Sequence, residues 1–125
     1  MPKILIVDDE AHIRLLLEQT LEELEDEGIE ILSAINGEDA LKIIEDKNPE
    51  LVFLDVMMPK LNGFEVCNEI KNIKNIQNIY IALLTAKGQE FDKQKGKEVG
   101  ADLYLTKPFN PDEVVKLAKS VLKIV

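Results

Sequence analysis

The chain is short of several residue types, and each shortage excludes a class of protein. There is one cysteine, Cys67, so no internal disulfide and no metal site of several thiolates can form. Long apolar runs are missing. The longest, Ile79–Leu84, has six residues, where a membrane span needs about 20. The apolar start, residues 1–7, stops at Asp8 and Asp9. It is too short for a signal-peptide core, and no small-residue cleavage site follows it. Basic residues are outnumbered, 15 against 24 acidic ones, for a net charge of −9. A net-acidic domain binds nucleic acid poorly, because binding requires neutralising phosphates. These absences predict a cytoplasmic protein with no membrane association and no direct nucleic-acid contact.

What is present suits one domain. A chain of 125 residues, 46% of them hydrophobic, can bury an ordinary core and has no room for a second domain. The charge is uneven: residues 1–62 hold 16 acids and 5 bases, whereas residues 63–125 hold 8 acids and 10 bases. The run Glu22, Glu23, Glu25, Asp26, Glu27 reads as a solvated helix face and turn.

Two kinds of segment alternate. Short apolar runs occupy Lys3–Val7, Ile29–Ala34, Leu51–Leu54, Ile79–Leu84 and Asp102–Thr106. Three are apolar nearly throughout, as strands are when both sheet faces are covered. Between them lie helical stripes: Ile13, Leu16, Leu17, Leu21 and Leu24; Ala40, Leu41 and Ile44; Phe64, Cys67 and Ile70; and Val114, Leu117, Ala118, Val121 and Leu122. Asn36-Gly37 and Asn48-Pro49 punctuate as turns. Asn110, Pro111 and Glu113 mark the start of the last helix. The fourth crossover, residues 89–99, has only Phe91 and Val99 clearly apolar and carries Gly96 inside, so a marginal, more mobile helix is predicted there. The order is βα five times. It predicts an α/β domain with a parallel sheet, right-handed crossovers and helices on both faces.

In such a sheet, ligands sit beyond the C-terminal ends of the strands. Asp8, Asp9 and Glu10 follow the first strand. Asp55 ends the third, Thr85 the fourth, and Thr106, Lys107 and Pro108 the fifth. The topology therefore predicts that Asp8, Asp9, Asp55, Thr85 and Lys107 converge. Three carboxylates in one cleft repel each other unless something positive compensates. A lysine and a hard divalent cation would do so, and an oxygen-only ligand set favours Mg²⁺ or a relative over zinc. Asp55 would then be a carboxylate nucleophile screened toward an incoming phosphoryl group, with Lys107 and the Thr85 hydroxyl holding the phosphoryl oxygens. Each residue alone has an ordinary explanation. Asp-Asp caps helices, Asp55 before Met-Met-Pro forms turns, Thr85 can cap the fourth helix, and Lys107 can be a surface lysine. Joint placement on the ends of one five-strand pattern favours the shared site.

The stretches KILIVDDE (3–10), LVFLDVMMPKLNGFEV (51–66), ALLTAKG (82–88) and GADLYLTKPF (100–109) resemble, in order and spacing, the receiver domain of two-component response regulators. The resemblance covers essentially all of residues 1–125. It implies a doubly wound, flavodoxin-like (βα)5 fold with strand order 2-1-3-4-5. It implies Asp55 as phosphoacceptor and Asp9 as a direct Mg²⁺ ligand, with Asp8 acting mainly through water. The Met57 backbone carbonyl completes the set, and Mn²⁺ can substitute. Lys107 would bind Asp55 and then the phosphoryl group, through a cis bond to Pro108. Thr85 would be the switch hydroxyl and Tyr104 the aromatic residue that swings inward with it.

The implied partners are a sensor histidine kinase or histidine phosphotransfer protein and a downstream effector or output domain. The surface of helix four, strand five and helix five would change on phosphorylation, with homodimerisation through it as an option. The domain would catalyse only its own phosphoryl transfer and dephosphorylation. Residues 1–125 hold the receiver pattern alone, so the chain is expected either to act by binding a partner or to belong to a longer regulator. Tyr80 and Asn62 depart from the family's commonest residues (proline and aspartate) without removing a chemical group. Met57 and Lys87 flank the path of hydrolytic water in the family, and are expected here to slow self-dephosphorylation.

Three rivals are weaker. An aspartate-nucleophile phosphatase wants a second Asp where Met57 stands. A flavodoxin would meet repulsion between its flavin phosphate and Asp8, Asp9 and Glu10. A phosphorylation-independent scaffold needs none of the chemical residues that are present. His12 reads as a surface residue in the first turn of helix one, and Cys67 as a core residue.

Overall fold

The computed structural model describes residues 2–86 and 92–124. Its elements alternate: β1 (Lys3–Val7), α1 (Ala11–Glu25), β2 (Glu30–Ala34), α2 (Gly37–Lys47), β3 (Leu51–Asp55), α3 (Gly63–Asn68), β4 (Tyr80–Ala86), α4 (Asp92–Val99), β5 (Leu103–Lys107) and α5 (Pro111–Leu122). All four strand pairings are parallel, in the order β2-β1-β3-β4-β5. Order and parallelism agree with the sequence reading. The strand ends differ slightly. β4 and β5 run on to Ala86 and Lys107 because the backbone ladder pairs Thr85 with Thr106 and Ala86 with Lys107 whatever the side-chain polarity.

Strand alternation sends side chains to two separate cores. On one face Ile4, Ile6, Leu51, Phe53, Ala82 and Leu84 pack under α1 (Leu17, Leu21, Leu24) and α5 (Val114, Ala118). On the other, Leu5, Val7, Val52, Leu54, Ile81 and Leu83 pack under α2 (Ala40, Ile44), α3 (Phe64, Val66, Cys67) and Ile70 just beyond α3, with Val99 of α4 at the margin. β3 is buried throughout, as are Ile4–Val7 of β1 and residues 81–85 of β4, which explains their nearly unbroken apolar sequence.

Local chemistry sets the helix ends. The Asn36 side chain caps α2 by accepting from the Asp39 N–H at 2.8 Å, and Asn48 closes it in the left-handed conformation, φ 51°. At α3, Asn62 and Glu65 form a reciprocal capping box. The Asn62 departure thus keeps an N-cap. At α5, Asn110 accepts from the Asp112 N–H with Pro111 in the first turn. α3 continues into a π-helical turn, Glu69–Ile73, which the apolar spacing does not reveal. The helix expected over 89–99 is described from Asp92 onward; its first three residues and its expected mobility lie outside the described residues.

Candidate functional site

The C-terminal ends of β1, β3 and β5 bring together side chains far apart in the chain. Asp8 follows β1, Asp55 ends β3 and Lys107 ends β5. The Lys107 Nζ lies 3.0 Å from Asp8 Oδ2 and 3.2 Å from Asp55 Oδ1. Asp8 is fully buried and Asp55 nearly so, so both charges are costly without that ammonium. Asp8 is further held from its own loop. Its Oδ1 accepts from the Glu10 N–H at 2.9 Å, and its backbone carbonyl accepts from the Arg14 guanidinium at 2.7 Å. The Met57 N–H donates to Asp55 Oδ1 at 3.3 Å.

Asp9 sits beside them, exposed. One carboxylate oxygen each from Asp8, Asp9 and Asp55 lies within 4.8 Å of the others. Three hard oxygen donors in a cleft of net negative charge suit a hard divalent cation such as Mg²⁺, with water filling the remaining positions. The electrostatics point the same way. Burial, then the Asp8 charge, push the Asp55 carboxyl up from its ordinary 3.8 to about 7, against the pull of Lys107 and the Met57 N–H. Lys107 is pulled down by burial, but its bonds to Asp8 and Asp55 and their charges outweigh this and raise it.

Glycine makes the loop possible. A Cβ on Gly63 would lie 2.4 Å from the Asp55 carbonyl oxygen, and the Gly63 N–H donates to Val56 O at 3.0 Å. The loop after Asp55 therefore closes directly onto the β3 backbone. A Cβ on Gly37 would lie 2.6 Å from Leu61 O, so the start of α2 supports the same loop. Met58 is buried beneath it, whereas the Met57 side chain is 62% exposed.

Thr85 is buried near the end of β4, one position before the Ala86–Lys107 pair and one beyond the Asp55–Leu84 pair. Tyr104 pairs with Leu83 on β5 and packs on the α2–α3–α4 side. Alternation places Thr85 on that same face. The Lys107–Pro108 peptide bond is cis, and Phe109 packs against the opposite core. Lys87 lies outside the described residues.

Comparison with known proteins decides the family. The family described as response regulator receiver domain matches residues 4–119. The chain belongs to that family. The receiver is 48% identical over 121 residues to the alkaline phosphatase synthesis transcriptional regulatory protein PhoP of Bacillus subtilis, covering 97% of this chain and 48% of that one. It is 39% identical to protein PilG of Pseudomonas aeruginosa, covering 94% of this chain and 85% of that one. The receiver spans about half the length of most curated relatives it matches. Among solved structures, the chemotaxis protein CheY4 of Vibrio cholerae superposes with a TM-score of 0.83 at 35% identity, covering 97% and 98% of the two chains. The BeF3-activated DrrB receiver domain does so with 0.85 at 34%, covering 98% of each. The receiver is thus a signalling domain of two-component systems rather than a metabolic enzyme. No helix among its described residues is long and apolar enough to cross a membrane.

Several residues at and behind the site escape sequence reading. Arg14 carries no signal in the sequence, yet it braces the Asp8 carbonyl. Lys71 likewise carries no signal in the sequence. In the structure the π-helical turn puts it inside, 4% exposed, where it donates to the Ile79 carbonyl and pairs with Asp102 at 3.2 Å. Asp102 in turn accepts from the Ile81 N–H at 2.8 Å, tying the start of β5 to β4. Cys67 is a core residue, and burial first of all pushes its thiol up to about 12. His12 is exposed and pairs with Glu10 at 3.2 Å.

Proposed function

We propose that the protein is a phosphorylation-operated switch in which Asp55 takes a phosphoryl group from a histidine of a sensor kinase or phosphotransfer protein. The observation that carries this reading is the buried Asp55 carboxylate with Lys107 at 3.2 Å, one of three carboxylates that each place an oxygen within 4.8 Å of the others. An Asp55 oxygen attacks phosphorus, the O–P bond forms, the P–N bond to the donor imidazole breaks, and the nitrogen keeps the electron pair. The Lys107 ammonium lies where it offsets charge on the phosphoryl oxygens. Asp9, Asp55 and the Met57 carbonyl would hold Mg²⁺ or Mn²⁺, with Asp8 reaching it through water. When bound, the cation neutralises the carboxylates and the phosphoryl oxygens.

Phosphorylation adds nearly two negative charges and three acceptor oxygens. The Thr85 hydroxyl and Lys107 then gain acceptors on one side of the sheet ends. Thr85 moves toward the phosphoryl group, Tyr104 swings inward behind it, and the α4–β5–α5 surface changes shape. A few kcal/mol suffices to invert such an equilibrium. The readers of that surface are a downstream effector or an output domain, and a second copy is a further candidate. The setting is the cytoplasm.

The test is intact-mass spectrometry after incubation with Mg²⁺ and acetyl phosphate. The reading expects a gain of about 80 Da, one phosphoryl group, that is lost with EDTA and in Asp55→Ala. No gain in the wild type, or an equal gain in Asp55→Ala, overturns it in favour of a scaffold that signals without phosphorylation. Multiple-turnover release of phosphate from small phosphomonoesters would favour the phosphatase instead.

A further inference from the structure

We propose that Arg14 is a positioning residue that keeps Asp9 from capping α1 and so leaves its carboxylate available to a cation. That role rests on the reading of Asp8, Asp9 and Asp55 as a divalent-cation site. Asp8, Asp9 and Glu10 lie immediately before α1, where short acidic side chains ordinarily cap a helix and its positive end attracts them. The helices α2, α3 and α5 are each capped by an asparagine side chain. α1 is different. Among the described residues no side chain caps it, Glu10 stands at its N-cap position, and its first turn holds no acid. Asp8 is engaged elsewhere, with Oδ1 on the Glu10 N–H and Oδ2 on Lys107. Asp9 is exposed, and its carboxylate stands with those of Asp8 and Asp55.

Two demands therefore compete for Asp9. One more residue of helix at the start of α1 would make Asp9 the N-cap, with its carboxylate on the N–H of Ala11 or His12. A carboxylate turned onto those groups is withdrawn from the cation. Arg14 decides the competition. It is the chain's only arginine, half-buried on α1, and its Nη1 donates to the Asp8 carbonyl at 2.7 Å. Carrying the helix back to Glu10 needs that residue's ψ to move from 115° to the helical range, about −42°. The move swings the preceding chain, the Asp8 carbonyl included, relative to α1. The Arg14 bond joins the two and resists the swing. The charge of Arg14 works in the opposite direction. A guanidinium beside three carboxylates repels a divalent cation, so loss of the charge alone tightens cation binding. Loss of the brace weakens it, and the two effects differ in sign.

The test measures Mn²⁺ binding to the full chain by electron paramagnetic resonance at fixed ionic strength, in wild type, Arg14→Met and Arg14→Lys. Arg14→Met is expected to raise the Mn²⁺ dissociation constant about tenfold, as loss of a group that orients a metal ligand does. Arg14→Lys keeps the charge and a donor and is expected to recover part of that loss. In phosphoryl uptake from acetyl phosphate, Arg14→Met raises the Mg²⁺ concentration that gives half the maximal rate, while the rate at saturating Mg²⁺ is retained. Unchanged or tighter Mn²⁺ binding in Arg14→Met overturns the proposal, as does a loss that Arg14→Lys leaves in full. NMR of the metal-free proteins supplies a readout that needs no cation. The Ala11 and His12 amides are expected to shift and to exchange more slowly in Arg14→Met, because the new cap protects them, and the protection is lost when Asp9→Ala is added. Amides that stay as in the wild type overturn the proposal. Lower stability in urea with neither change marks a merely structural role and overturns it too. A wild type that takes up no Mn²⁺ defeats the cation reading, whereas the amides still support or overturn the brace.

Discussion

Replacing Asp55 with Asn tests the electrostatics of the site directly. In metal-free protein, burial and Asp8 hold the Asp55 carboxyl near 7 in the folded state, against 3.8 ordinarily. The folded chain therefore binds this proton more tightly than the unfolded chain does. Stability contributed by the group falls as pH rises from about 4 to about 7, and is level above that. The full difference between the two values corresponds to about 4 kcal/mol. Asn has the same shape and an Oδ1 that can still accept from the Met57 N–H and from Lys107, which keeps Asp8 as its charged partner. Asp55→Asn is therefore expected to stabilise the EDTA-treated protein by about 2–4 kcal/mol at pH 8 and by almost nothing near pH 4. The chain has no tryptophan, so urea unfolding is followed by circular dichroism. With a urea slope of about 2 kcal/mol per molar, the midpoint rises by about 1–2 M at pH 8. Added Mg²⁺ is expected to narrow the gap by stabilising the wild type more than the variant. A gap that is absent at pH 8, or that is the same at pH 4 and pH 8, refutes the reasoning.

Other residues make sharper steric and ionic tests. Gly63→Ala sets a Cβ against the Asp55 carbonyl oxygen at 2.4 Å; it is expected to cost about 3 kcal/mol or more in urea unfolding, overpacking against backbone being at the severe end, and to lower the rate of phosphoryl uptake from acetyl phosphate. Lys71→Met leaves Asp102 and the Ile79 carbonyl without their ammonium and is expected to cost about 2–4 kcal/mol, with amide exchange rising first at the start of β5. Met57→Asn replaces an exposed apolar side chain beside Asp55 with one that can orient water. Its aspartyl phosphate is expected to decay several-fold faster by intact mass, and an unchanged half-life discards the idea that Met57 shields the site.

Much of this molecule is readable from its residues because its decisive features are periodic or terminal. Apolar strands without alternation announce burial on both faces, helical stripes announce crossovers, and a parallel α/β sheet exposes its strand ends on one side. That is enough to nominate Asp8, Asp9, Asp55, Thr85 and Lys107 from composition and position. Strand order comes from the family resemblance, since periodicity carries no information about which strands are neighbours. Sequence alone thus determined the fold class, the chemical character of the site and the residues that could compose it.

Tertiary structure decided the rest, because the remaining quantities depend on distances between residues remote along the chain. The carboxyl of Asp55 is raised by burial and by Asp8, which lies 47 positions earlier, and is restrained by Lys107, 52 positions later. Lys71, within the π-helical turn, lies inside the protein and pairs with Asp102, 31 positions later. Gly96 reads as a helix defect until the Tyr104 ring is seen lying on it. Local sequence encodes propensity and pattern, whereas burial, ion pairing and steric fit arise only when separate segments occupy the same few ångströms.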